Sequence, residues 1–104
     1  MMKEENILKW LQKWFKSQCD GNWEFENVCQ ITSVSNPGWY ISIDLAYTGL
    51  ENIKLDVGTI RNGDDDWYYY LIKDKKFKAA GDLEKLKFLL YKFKEIVELH
   101  NKVI

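Results

Sequence analysis

The chain has 104 residues and 30% charged side chains with a single proline, which argues for one folded domain over residues 1–104 and against disorder. Apolar residues make up 46%, including five Trp, six Tyr and five Phe, so aromatic packing should dominate the core. A formal net charge of −1 excludes a bulk preference for nucleic acid or for anionic membrane.

That small net charge hides a segregation along the chain. Asp20 to Asp66 carries nine acids against Lys54 and Arg61, a net −7, whereas residues 1–19 carry +2 and residues 67–104 carry +4. An acidic centre between basic ends points to a basic partner. Helices studded with lysine around a centre of strands and loops would give the same pattern.

The opening "MMKEENILKWLQKWFK" lacks the continuous apolar core of a secretion signal. No window approaches the ~18 apolar residues of a membrane span. Two cysteines without a signal sequence read as reduced thiols, and the expected location is cytoplasmic.

From Asn6 to Gln18, the apolar residues Ile7, Leu8, Trp10, Leu11, Trp14 and Phe15 fall within roughly 160° of a helical wheel. This predicts an amphipathic helix that stops near Cys19, where Asp20-Gly21 breaks it. Trp beside Lys also suits a helix lying on a membrane surface, but a core-facing helix with snorkelling lysines accounts for it equally.

After Trp23 the period shifts towards two. "VCQITSV" is strand-like, "SNPG" is a turn, and "WYISIDL" alternates with Trp39, Ile41, Ile43 and Leu45 on one face. "AYTGLE" reads as a loop, and "NIKLDVGTI" as a strand with Ile53, Leu55 and Val57 inward. "NGDDD" is predicted as a loose five-residue turn. "WYYYLIK" has large side chains on both faces, which suits a central strand covered on each side, and "KFKAA" is a short last strand.

Gly81 then breaks the pattern, and Asp82 is a good N-cap for a second helix. In that helix Leu83, Leu86, Leu89, Leu90, Phe93, Ile96 and Val97 share a roughly 140° arc, which leaves Phe88 and Tyr91 outside it. The expected fold is α+β: an N-terminal helix, an antiparallel meander of about five strands, and a C-terminal helix packed on the sheet.

Matched catalytic groups are scarce. The single histidine, His100, lies near the C-terminus, which removes most Cys-His and Ser-His-Asp arrangements. Cys19 and Cys29 lack CxxC spacing, and with His100 they fall one ligand short of a structural zinc site; no metal or other cofactor is expected. Asp64, Asp65 and Asp66 lack the spacing of a calcium loop. Asp20, Glu24 and Asp44 could converge as a carboxylate pair for glycoside chemistry, but nothing in their spacing asks for it. Acids flank the Trp- and Tyr-rich strands and would repel phosphates, so neither nucleic acid nor membrane is expected as a partner. What is left is a binding surface of acids and exposed aromatics.

Three segments together resemble the immunity protein 53 family, small bacterial proteins assigned to polymorphic toxin systems. They are Cys19, Gly21, Trp23 and Glu24 in "CDGNWE", Asn36 to Trp39 in "NPGW", and Ile43 to Leu45 with Thr48, Leu50 and Glu51 in "IDLAYTGLE". The likeness extends to "LKWLQKWF" and to "DDDW" and "KFKAAGD", covering nearly the whole chain. Members tend to carry His where this chain has Phe25, and Gly followed by a hydrophobic residue in place of Val28-Cys29. The resemblance implies a protein that binds a cognate toxin domain and neutralises it by occlusion, with no catalysis of its own. The alternatives are a protein-binding adaptor and a small thiol enzyme of sulfurtransferase type.

On this reading Asp20, Glu24, Glu26, Asp44, Glu51, Asp64, Asp65 and Asp66 are the expected partner-binding residues. Cys19, Gly21, Trp23, Pro37, Gly38 and Trp39 are expected to be structural, with Cys19 filling space beneath the corner that Asp20-Gly21 makes and Trp23 packing at it.

Overall fold

The computed structural model describes residues 6–103. Helix α1 runs over Ile7–Gln18, and Asn6 caps it by accepting the Leu8 and Lys9 amides on Oδ1 at 3.1 Å each. Of the predicted apolar arc, Ile7, Leu11 and Trp14 are buried, Trp10 and Phe15 are partly buried, and Leu8 is exposed. The chain leaves the helix at Cys19 and turns through Gly21, whose φ of +93° suits glycine. A single helical turn, α2 at Trp23–Glu26, follows, an element the sequence reading did not contain.

Six strands then form one antiparallel sheet: β1 Cys29–Val34, β2 Gly38–Asp44, β3 Leu55–Asp56, β4 Ile60–Gly63, β5 Asp66–Lys73 and β6 Lys76–Gly81. The extra strand arises because the expected "NIKLDVGTI" strand is split. The Asp56 carboxylate accepts the Gly58 amide, and Gly58 at φ +73° bends the chain. β3 and β4 therefore pair with successive stretches of the same edge of β5, Leu55 opposite Ile72 and Ile60 opposite Tyr68. The order β1-β2-β6-β5-β3 is not sequential, since β6 inserts between β2 and β5. The "NGDDD" connection is tight rather than loose: Gly63 pairs with Asp66, leaving only Asp64 and Asp65 in the turn.

Strand register sorts the side chains. Ile41 lies opposite Ala79, which lies opposite Tyr70; Ile43, Phe77 and Ile72 form the next row. These rows face α1 and the second long helix, α3 at Leu86–Val103. Phe93 is the hub of this core, edge-on to Trp14 at 4.9 Å and tilted on Phe77 at 5.0 Å between ring centres. Phe88, outside the predicted arc, meets Tyr68 at 4.8 Å.

α3 begins four residues after Asp82, not directly behind it. Asp82 instead organises the preceding turn by accepting the Glu84 amide on Oδ1, and Leu83 is left exposed. The other face of the sheet carries Tyr40, Ser42, Lys78, Ala80, Trp67, Tyr69 and Leu71, and among the described residues no long helix packs on it. The large side chains on both faces of β5 thus reflect one core face and one open face, not cover on both sides.

Candidate functional site: two acid-lined clefts

The corner after α1 is built from reciprocal caps. Asp20 Oδ1 accepts the amides of Asn22 and Trp23 at 2.9 Å, and the Glu24 carboxylate reaches back to the amides of Asp20 and Gly21 at 2.9 Å. Asp20 satisfies amides at the start of α2, and Glu24 satisfies the two amides of the turn before it. The amide bonds from Trp23 and then Asn22 hold the Asp20 carboxyl below the usual aspartate range.

Trp23 is the peg of this corner. Its ring is buried against Phe15 (5.2 Å between centres) and edge-on to Trp14, and its indole Nε1 donates to the Ala46 carbonyl at 2.6 Å. That bond ties α2 to the loop after β2. Asn27, also buried, donates to the Trp23 carbonyl, and Asp44 accepts the Val28 amide on one oxygen and the Lys76 ammonium on the other, at 2.9 and 2.8 Å.

This frame displays two aromatics to solvent: Phe25 on α2 is 81% exposed and Tyr47, one residue past Ala46, is 89% exposed. Between them lies a cleft of about 440 Å³ whose walls include Asp20, Glu26 and Asn22. Glu26 makes no hydrogen bond or ion pair among the described residues. Tyr47 sits at φ +61°, a conformation that costs a bulky residue on the order of 1 kcal/mol.

A second cleft, of about 800 Å³, opens on the uncovered sheet face near Trp67 and Tyr69, bounded by Pro37, Arg61, Asp64, Asp65, Leu83 and Glu84. Asp64 pairs with Arg61 at 2.7 Å, whereas Asp65 has no partner among the described residues. Behind it, Lys85 bridges Asp66 and Asp82 at 2.8 Å each. Those two carboxylates raise the Lys85 pKa through hydrogen bonds and charge, and Lys85 in turn holds Asp66 low. Burial alone would push Asp82 up, but Lys85 and the amides of Trp67 and Glu84 bring it below the ordinary value. The sequence reading did not include Asp82 or Lys85 among the site residues, although the Asp-x-x-Lys spacing 82–85 was there to find.

The predicted acids thus fall into two groups. Asp20, Glu24, Glu26 and Asp44 cluster near the C-terminal end of β2, with Glu51 in the loop beyond it; Asp64, Asp65 and Asp66 lie towards its N-terminal end. Seven residues of strand put about 20 Å between the two ends. Among the expected structural residues, Trp23 is buried and Gly38 is required, because a Cβ there would collide with the Gly81 carbonyl and press on the Trp67 ring. Trp39 donates its indole N–H to the Leu83 carbonyl at 3.0 Å, and Pro37 lies exposed in the β1–β2 turn.

Cys19 departs from expectation: it is exposed, and its thiol donates to the Phe15 carbonyl at 3.3 Å instead of filling space below the corner. Local desolvation and then the Glu24 and Asp20 carboxylates raise its pKa, and burial with the Asp44 charge raises Cys29 to about 11. Both thiols therefore stay protonated near neutral pH, the reverse of what a thiolate nucleophile needs. Among the described residues, no group of three or more His, Cys, Asp and Glu could hold a metal ion, and no helix is long and apolar enough to cross a membrane.

Compared with known families, residues 8–98 match the model of Immunity protein 53. The chain belongs to the immunity protein 53 family. Neither a curated protein nor a solved structure matched the chain. The match runs from the start of α1 to the last turns of α3, so it takes in both clefts and the core that positions them. Membership gives an immunity role, and with it a toxin as the partner class.

Proposed function

We propose that this member of the immunity protein 53 family acts in the cytoplasm by binding a cognate toxin domain and covering its active surface, with no catalysis of its own. The observation that carries the reading is the family match over residues 8–98. Its partner is a basic domain of nuclease type, because the −7 charge of the segment from Asp20 to Asp66 complements a surface built to hold phosphates.

Within the eight acids, the arrangement supports a division of labour. Glu24, Asp44 and Asp66 are engaged in holding the chain and act on a partner through their field, whereas Asp20 holds the chain through Oδ1 and lines the cleft. Glu26, Glu51 and Asp65 are the ones available for direct contact, and Asp64, exposed but paired with Arg61, is available only in part. Occlusion calls for an interface of about 1,600 Å² and nanomolar affinity. Titration of the purified chain with its toxin domain tests the charge argument. Association should slow and affinity fall as salt rises from about 50 to about 500 mM, since the Debye length shrinks severalfold over that range. Affinity independent of salt would rule out a charge-complementary partner.

A further inference from the structure

Resting on that reading, we infer that the cleft between Phe25 and Tyr47 is the docking point for a cationic side chain of the toxin, an arginine in preference to a lysine. Phe25 and Tyr47 are the most exposed of the large hydrophobic residues described, and they line one cleft from two different elements. Their rings are not in contact with each other, so the space between them is free to receive a group. The walls supply two carboxylates, Asp20 and Glu26, and no lysine or arginine. Aromatic faces beside carboxylates fit a planar cation, which stacks on the rings and donates in parallel to the acid.

The cleft is also pre-organised. Glu24 and Asp20 lock α2, and the Trp23 indole fixes the carbonyl next to Tyr47, so little backbone freedom is lost on binding. Tyr47 has a left-handed backbone that glycine would hold without strain, and its side chain is almost wholly exposed. A bulky side chain displayed to solvent at a strained position is accounted for by contact with something outside.

The test uses an acetylated, amidated hexa-arginine peptide and, separately, the toxin domain encoded beside this gene. With the ¹⁵N-labelled chain, the peptide should shift Gly21, the Trp23 indole N–H, Phe25 and Tyr47 most, and a hexa-glutamine control should shift none of them. Phe25→Ala with Tyr47→Gly should not lower the melting temperature and should weaken binding of the peptide and of the toxin by about tenfold or more. Glu26→Gln should weaken both by a few-fold. Shifts centred on the Asp64-Asp65 turn, or a folded double variant that binds peptide as the wild type does, would overturn the assignment. Toxin binding that survives the double variant overturns it while leaving the proposed function intact. A toxin that is active yet does not bind the wild-type chain overturns the proposed function, and the peptide map then decides the cleft alone.

Discussion

Single residues here carry more than one duty, and Asp82 is the clearest case. Its sequence position reads as a helix cap, but its two oxygens serve the Glu84 amide, the Trp67 amide and the Lys85 ammonium, so it joins β5, the turn and the approach to α3. Its pKa, like that of Asp66, lies below the ordinary 3.8 in the folded chain. A depressed carboxylate contributes stability that is fully present above 3.8 and is lost as pH falls through the lower folded value. The raised Lys85 acts at the other end, contributing below its ordinary 10.5 and losing that contribution as pH climbs past it. Urea unfolding should therefore give a flat stability between these limits and a decline below about pH 4. Asp82→Asn should cost about 2 kcal/mol at pH 7, because it removes one of the two carboxylates that hold the largely buried Lys85 ammonium, and should flatten the acid decline. An unchanged acid limb in that variant would show that other carboxylates dominate it. Sequence alone marked Asp82 as a capping residue, since Asp behind Gly before an apolar run is a local signal. It did not mark the long-range bond to Trp67, which depends on β5 arriving beside the turn.

At the scale of elements, the period of the apolar residues located what was long enough to have a period. α1 is legible from Ile7, Leu11 and Trp14, and α3 from Leu89, Phe93 and Val97, all buried as expected. The alternation of Ile41 and Ile43 likewise marks β2. Four residues cannot show a helical period, which is why α2 was invisible, although Asp20 and Glu24 carried its capping chemistry in plain sight. The split of β3 from β4 hinged on Gly58, a single residue inside a seemingly regular strand. The order of strands was beyond reach because β6 pairs with β2 across more than thirty residues of intervening chain. The core these elements share concentrates on Phe93, which is fully buried among Trp10, Trp14 and Phe77. Phe93→Ala should cost about 4 kcal/mol in denaturant unfolding with m unchanged. For a domain of this size that is a large share of the total stability. A cost below about 1 kcal/mol would mean that the helices hold to the sheet through other contacts.

The whole molecule separates its work by face. One side of the sheet is closed by two helices; the other stays open, with Tyr40 and Tyr69 across from one another over Ala80. Desolvation and then the charge of Tyr40 raise the Tyr69 phenol pKa. The acids occupy the two ends of β2, and the corner end alone pairs them with fully displayed aromatics. The charge segregation of the chain was legible by counting; its division into two clefts was not, because that depends on which end of a strand each loop joins. Family membership was legible in the ordered set of short segments, and the match over residues 8–98 agrees with it.

The central claim is protection from a toxin, and growth tests it most directly. The neighbouring toxin domain would be expressed in a susceptible bacterium with and without this chain, and surviving colonies counted. Wild-type chain should restore colony numbers to those of the toxin-free control, and the folded Phe25→Ala/Tyr47→Gly variant should fall well short of it. A toxin proven active that kills equally in the presence of the soluble, folded wild-type chain would contradict the account.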